Sequence, residues 1–278
     1  MARANLEGKT IAFSVSDSPD LTRLGISPRA LEHVMIEIAR YILRAGGVIA
    51  YGGDLRESGF TMALFEMVRR YRRDHSEAPP VHNYLAWSVH QKYEGEFLQK
   101  KIDEYAGIAR ITLLTPEGDS LRLEERERVP VTPELAAVSL EGMRHRMTAE
   151  ISARVCLGGK VRDFSGRFPG LAEEAAMAIQ GGRRLLLVGG FGGCTRDLAA
   201  TLGFGEGWPE RHESETGEFT TQYRQGLELV STMARNSPKA DIPESNLRLA
   251  NERNLPRIIR GVVQALQIPA LATATAYA

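Results

Sequence analysis

Short apolar runs alternate along this chain with longer stretches in which apolar residues recur at helical spacing. Runs at Thr10–Ser16, Val48–Tyr51 and Arg184–Val188 are typical of strands that a sheet buries on both faces. Between the first two, Ser27-Pro28 is a typical helix start, and the apolar positions after it keep a helical period until Gly46-Gly47. The chain therefore opens as strand, helix, strand.

The alternation continues over most of the sequence. It predicts helices over residues 61–73, 97–105, 133–151 and 168–179, and strands over residues 81–87, 109–115 and 154–157. Charged residues 116–133 predict an exposed connection, and two further helices are predicted near 223–233 and 247–266. This order is that of an α/β fold, a Rossmann-like doubly wound parallel sheet with additional C-terminal helices. We expect one domain over residues 8–266 and a disordered tail over 267–278.

Composition narrows the range of partners. Among 278 residues, 35 Lys plus Arg balance 35 Asp plus Glu, so no net field favours nucleic acid or a membrane surface. The two cysteines predict reduced structural thiols, and no Cys/His spacing predicts a metal site. Because the sequence lacks a signal region and any apolar run of about 18–20 residues, we expect a cytoplasmic protein with no membrane partner.

Three glycine-rich breaks follow predicted strands. They are Tyr51-Gly-Gly-Asp-Leu-Arg56, Gly158-Gly-Lys160 and Leu187-Val-Gly-Gly-Phe-Gly-Gly193. Glycine lets backbone N–H groups approach a ligand closely, and the carboxyl ends of parallel strands meet at one edge of a sheet. The sequence therefore predicts a composite site for an anionic, nucleotide-like molecule at that edge.

Residues 166–174 open a predicted helix directly behind a strand. A helix N-terminus attracts phosphate, and Arg167 could pair with that phosphate bidentately. Glu173 or Glu174 could then accept hydrogen bonds from ribose hydroxyls, or assist water in the cleavage of a glycosidic bond. The alternative is that both glutamates only cap the first turn of the helix.

Polar residues flank these breaks. A charged pair after Gly-Gly has little reason to enter a core, so Arg56 could meet a phosphate and Asp54 a hydroxyl. Thr61 could cap the next helix or donate to phosphate, whereas Ser16 and Asp17 would either sit beside the ligand or form an ordinary turn.

Other charged and titratable groups predict structural roles. We expect Arg144 and Arg146 to form a solvated basic face of their helix. The alternative is that one of these arginines reaches the pocket from the side. His82 and His90 predict structural roles, and no histidine beside a nucleophile indicates a catalytic triad.

The segment at residues 167–174 resembles the phosphate loop of the SLOG superfamily, the Rossmann-like group that contains the LOG nucleotide phosphoribohydrolases and the ligand-sensing domains of TRPM channels. In LOG enzymes a Pro-Gly-Gly-x-Gly-Thr-x-x-Glu loop binds phosphate and supplies a catalytic glutamate. Pro169, Gly170 and an acidic residue match that loop, but its Gly-Gly-x-Gly-Thr core is absent. Tyr51-Gly-Gly-Asp54 is similar to the Tyr-Gly-Gly-Gly turn of LOG proteins, and residues 189–193 look more like the sensor branch. The likeness covers residues 8–205.

The resemblance implies a sensor or binding domain for ADP-ribose, cyclic ADP-ribose or a related NAD metabolite. From the sequence we expect no further cofactor and a homo-oligomer formed through the exposed helices, and function could depend on a separate effector chain. The alternative is a LOG-like phosphoribohydrolase in which Glu173 or Glu174 is catalytic. An oxidoreductase is disfavoured, because Ser16-Asp-Ser-Pro stands where Gly-x-Gly-x-x-Gly would follow the first strand. The predicted ligand-binding residues are Ser16, Asp17, Gly52, Gly53, Asp54, Arg56, Thr61, Gly158, Gly159, Arg167, Pro169, Gly170, Glu173, Gly189, Gly190, Phe191, Gly192 and Gly193.

Overall fold

The computed structural model describes residues 5–71, 78–206 and 218–267. Its strands are β1 (Thr10–Ser16), β2 (Val48–Tyr51), β3 (Val81–Leu85), β4 (Ala109–Leu114), β5 (Ser120–Leu121), β6 (Ala153–Gly158) and β7 (Arg184–Val188). They form one sheet in the order β5-β4-β3-β2-β1-β6-β7, in which only the β4–β5 pair is antiparallel. The predicted Rossmann-like α/β class is confirmed.

The strand order reverses beside β1. The chain adds β2 to β5 on one side of β1 and then returns to place β6 on the other side. In this register Ser16, the last residue of β1, lies opposite Gly158, the last residue of β6. Doubly wound sheets bind ligands outside the carboxyl ends of the strands at such a switch point, so a site is expected here.

Helices cover both faces of the sheet. They are α1 (Ala30–Arg44), α2 (Phe60–Tyr71), α3 (Trp87–His90), α4 (Gly95–Glu104), α5 (Pro133–Glu150), α6 (Gly170–Gln180), α7 (Gly193–Thr201), α8 (Glu218–Asn236), α9 (Asn246–Leu249) and α10 (Leu255–Gln267). In the described ranges, none of the helices is long and apolar enough to span a membrane.

Alternating side chains of β1 serve two different cores. Ile11 and Phe13 pack in the cluster that contains α1, α2 and α10, whereas Ala12 packs in the cluster formed with Met143 and Met147 of α5. Successive strand residues point to opposite faces, so both faces must be apolar. This explains the nearly continuous apolar strand pattern in the sequence.

Several elements differ from the sequence prediction. The strand predicted over residues 81–87 ends at Leu85, and α3 follows it. The connection over residues 116–133 contains β5 and a short 3-10 turn, Leu123–Glu125. The helix predicted near 247–266 is divided into α9 and α10, because Pro256 lacks an N–H and is tolerated only in a first helical turn. The helix α7 was not predicted, and of the predicted tail, residues 268–278 lie outside the described residues.

Candidate functional site

A cavity of about 380 Å³ lies at the carboxyl ends of the central strands. We call it the strand-end pocket. Its walls come from distant parts of the sequence: the ends of β1, β2 and β3, the middle of α5, the loop after β6 and the first turn of α6. The composite site predicted from the strand order therefore has a cavity at the expected place.

Eight of the eighteen predicted ligand-binding residues line this pocket, as does one predicted catalytic glutamate. The former are Ser16, Asp17, Gly52, Gly53, Asp54, Arg56, Thr61 and Gly170, and the latter is Glu174. Glycine is required at position 53, since a Cβ there would lie 2.4 Å from Thr61 Oγ1 and 2.3 Å from the Tyr51 ring.

The first turn of α6 lies at the wall of the pocket. The Pro169 carbonyl accepts from the amides of Ala172 at 2.9 Å and Glu173 at 3.1 Å. Gly170 and Leu171 precede them, line the pocket, and lie where a helix has no internal acceptor for its amides. A Cβ on Gly170 would lie 2.7 Å from Arg144 Nη2, so the glycine lets this guanidinium approach the helix start.

The two glutamates of α6 have different surroundings. Glu174 lines the pocket; its Oε2 accepts from Arg154 Nη1 at 2.7 Å and from Ser14 Oγ, and its Oε1 is 3.6 Å from Arg144 Nε. Glu173 does not line the pocket, because its carboxylate pairs with Arg144 and accepts from the Phe168 amide at 3.0 Å. Burial raises the pKa of Glu173, and the neighbouring Arg144 opposes that shift.

Arg154 holds Glu174 from within the sheet. Its side chain is fully buried, and it donates to Ser14 Oγ at 2.7 Å and to Thr148 Oγ1 at 3.1 Å besides Glu174. Sequence reasoning missed Arg154 and Ser14 as site residues. An arginine inside an otherwise apolar strand was the available signal, because a buried charge needs a partner.

The cations around the pocket differ in how far they are already neutralised. Arg56 Nε lies 2.5 Å from Asp54 Oδ2, and Arg144 pairs with Glu173. Lys160 lines the pocket, is exposed, and has no ion pair with any residue that the structure describes. It was not predicted as a ligand-binding residue, although it is the last residue of the predicted break Gly158-Gly-Lys160.

The other two glycine breaks contact each other rather than the pocket. Gly159 (φ +106°) accepts from the Cys194 amide at 3.0 Å, and a Cβ on Gly193 (φ +67°) would lie 2.5 Å from the Gly159 carbonyl oxygen. Gly189 and Gly190 lie against another chain segment, since their Cβ atoms would meet the carbonyl oxygens of residues 250 and 252 at 2.7 and 2.1 Å. The close neighbours of these glycines are therefore backbone atoms of other chain segments, and the glycines do not border the cavity.

The remaining predicted residues also lie outside the pocket lining. Gly158, Phe191 and Gly192 belong to the same packed breaks, and Pro169 is buried beneath α8 near Gly226. Arg167 is exposed, with its guanidinium 5.2 Å from the centre of the Phe168 ring.

A second cavity, of about 620 Å³, adjoins the strand-end pocket. The two share Asp17 and Phe60, and the second extends between α1, α2 and α4 to Tyr105. We call it the side cleft. Its lining includes Glu32 and Glu57, whose carboxylates form no ion pair within the described ranges.

The fold and the pocket together define a Rossmann-like protein with a cavity at the switch point of its sheet. No three potential metal-ligand side chains cluster among the residues that the structure describes. The family model SLOG cluster2 matches residues 5–250, and the chain belongs to the SLOG superfamily, whose domains bind or process small nucleotide-related ligands. The resemblance inferred from the sequence is confirmed at this level. None of the curated proteins compared with the chain matches it significantly.

Proposed function

We propose that the strand-end pocket binds a nucleotide of the ADP-ribose type and that the protein acts as a sensor of this ligand. The observation that carries the proposal is the convergence of three kinds of group on one cavity. These are the first amides of α6, the Lys160 ammonium, and the carboxylates of Asp17 and Glu174. Amides and ammonium groups bind phosphate, whereas carboxylates accept hydrogen bonds from ribose hydroxyls.

The phosphate would be held by directional donors rather than by a strong positive field. Arg56 and Arg144 already have carboxylate partners, and Asp17 adds negative charge to the lining. The α6 amides point a fixed partial positive charge toward the helix start, and Lys160 adds a full charge. Both interactions are available without breaking an ion pair among the described residues.

The combined size of the two cavities supports a ligand longer than a mononucleotide. A pocket of about 380 Å³ is at the lower end of the usual range of roughly 300–1,000 Å³ for small-molecule sites. The side cleft extends it past Asp17 and Phe60. ADP-ribose or a cyclic derivative would use both, whereas AMP would use one.

A hydrolase is the second candidate, and the position of Glu174 favours it. This carboxylate is fixed on the pocket wall, and the resemblance to LOG enzymes gives a glutamate of this loop the catalytic role. We nevertheless prefer sensing, because Oε2 of Glu174 already accepts from Arg154 and Ser14. A carboxylate oxygen engaged by two donors is a weak general base.

Incubation with AMP, ADP-ribose, cyclic ADP-ribose and NAD, followed by a thermal shift and chromatography, separates the two candidates. A ligand at about 100 times its Kd should stabilise the fold by about 2.7 kcal/mol. The sensor proposal expects stabilisation by ADP-ribose or its cyclic form and no released base. Release of base that is lost in Glu174→Gln and kept in Glu173→Gln would instead support the hydrolase, and silence throughout would contradict both.

A sensor also has to pass the binding of its ligand on to another protein chain. We infer that ligand binding acts on a second copy of the chain or on a separate effector chain. Light scattering with and without ADP-ribose tests the first possibility, since a change in mass on binding identifies a homo-oligomeric response.

A further inference from the structure

A third cavity, of about 820 Å³, lies between α9 and α10 and shares no lining residue with the strand-end pocket. Three arginines line it: Arg248, Arg257 and Arg260. Among the described residues that line this cavity, Glu252 is the only acidic one. We call this cavity the arginine cleft.

The charges in the arginine cleft are poorly balanced. Within the described chain, Arg248 and Arg260 form no ion pair, and Arg257 Nη1 is 3.9 Å from Glu252 Oε2. The other carboxylate oxygen of Glu252 accepts from the amides of Arg253 at 3.0 Å and Asn254 at 2.8 Å. The carboxylate of Glu252 thus accepts hydrogen bonds from backbone amides just before α10. The arginine cleft therefore keeps an excess of positive charge.

A buried hydroxyl in the same cleft also lacks a partner. Ser245 lines the cleft, and its buried Oγ has no hydrogen-bond partner among the described residues. Buried polar atoms are normally satisfied, so the described residues leave this Oγ without the partner that such an atom usually has. Gln264 and Gln267 add amide donors on α10.

The cleft has a rigid base. Ile258 and Val262 anchor α10 in the main core, and Arg253 Nε donates to the Gly190 carbonyl at 2.9 Å. The backbone of residues 250–252 rests on Gly189 and Gly190. The glycines that the sequence assigned to the ligand therefore seat the segment that carries this second cleft.

We propose that the arginine cleft binds a multiply charged phosphate chain. A guanidinium matches phosphate oxygens bidentately, and three of them around one cleft could each pair with a different phosphate of a chain. The volume also exceeds that of one phosphate group. The shared chemistry is an oligophosphate, carried either by an inorganic chain or by a nucleoside.

Titration calorimetry of the full chain with sodium tripolyphosphate tests this proposal. The double variant Arg248→Gln/Arg260→Gln should bind at least about tenfold more weakly, because two charge-assisted contacts are lost. The control Arg44→Gln/Arg70→Gln changes the net charge equally on exposed parts of α1 and α2, and it should bind like the unaltered chain.

The outcomes are separable. Unchanged affinity in the double variant, or an equal loss in the control, would overturn the proposal. Tighter binding of ATP than of tripolyphosphate would identify a nucleoside source, and equal binding would identify the phosphate chain alone. Equal affinity for a tetraglutamate peptide would contradict phosphate recognition. None of these results depends on whether the strand-end pocket binds ADP-ribose.

Discussion

Arg154 is the residue on which the geometry of the strand-end pocket depends most. Its guanidinium is fully buried and links Glu174, Ser14 and Thr148. Taking such a charge out of water is costly, and the Glu174 carboxylate and the Ser14 and Thr148 hydroxyls offset that cost at Nη1 and Nη2, whereas Nε has no hydrogen-bond partner among the described residues. The network fixes the orientation of the carboxylate that faces the cavity.

Replacing Arg154 should therefore cost stability as well as site geometry. We expect Arg154→Met to lower the free energy of unfolding by about 3–5 kcal/mol, because Glu174 is left without its principal charge partner. Urea denaturation measures this loss. The double variant Arg154→Met/Glu174→Gln should recover part of it, and a loss below about 1 kcal/mol in the single variant would show that the pair is unimportant.

Glu173 makes a pH-dependent contribution to stability. Burial raises its pKa in the folded protein above the ordinary value of 4.5. A carboxyl with a raised folded pKa contributes stability that is present below its unfolded pKa and is lost as the pH rises through the folded pKa.

The variant Glu173→Gln should remove that contribution to the pH dependence. Relative to the unaltered chain, its free energy of unfolding should fall less between pH 4.5 and neutrality, as measured by urea denaturation at each pH. The exposed Glu96→Gln serves as the control and should keep the original slope. An unchanged slope in Glu173→Gln would mean that Arg144 fully offsets the burial of this carboxyl.

At the scale of elements, apolar patterning predicted most of the sheet. Strands β1, β2 and β7 match the predicted ranges because both faces of a parallel sheet are buried, which leaves a continuous apolar run. The two-residue β5 is too short to leave a pattern, and α7 begins within a glycine-rich break that resembles a loop.

The candidate site was less predictable for a physical reason. Glycine is needed wherever something approaches the backbone closely, and the sequence does not say whether that is a ligand or another chain segment. At Gly53 and Gly170 the neighbours are pocket residues, whereas at Gly190 the neighbour is the backbone of residue 252. Arg154 was missed because its partners come from β1, α5 and α6, which only the folded chain brings together.

The packing of Gly190 predicts a large effect of a small substitution. In Gly190→Ala the new Cβ would lie 2.1 Å from the Glu252 carbonyl oxygen, a backbone atom that cannot turn aside. We expect a loss of about 1–3 kcal/mol in the free energy of unfolding, measured by urea denaturation. Gly95→Ala, where no atom lies within 4 Å, is the control and should not destabilise the fold. A neutral Gly190→Ala would contradict the observed packing.

At the scale of the molecule, one sheet carries two separate polar cavities. The strand-end pocket lies at the switch point beside β1, and the arginine cleft lies on the C-terminal helices that cover the end of β7. Segment 250–253 contacts the glycine break after β7, and that break contacts Gly159 at the end of β6. In a sensor with this arrangement, a short series of packed chain segments would connect the ligand site with an outer surface.

The most direct test of the central claim is a calorimetric titration of the chain with ADP-ribose, repeated on Lys160→Ala and Lys100→Ala. Both lysines are exposed, but only Lys160 lines the strand-end pocket. We predict binding to the unaltered chain, about tenfold weaker binding to Lys160→Ala (about 1.4 kcal/mol), and no change in Lys100→Ala. Absence of binding, or equal affinity in all three proteins, would contradict the assignment of this pocket.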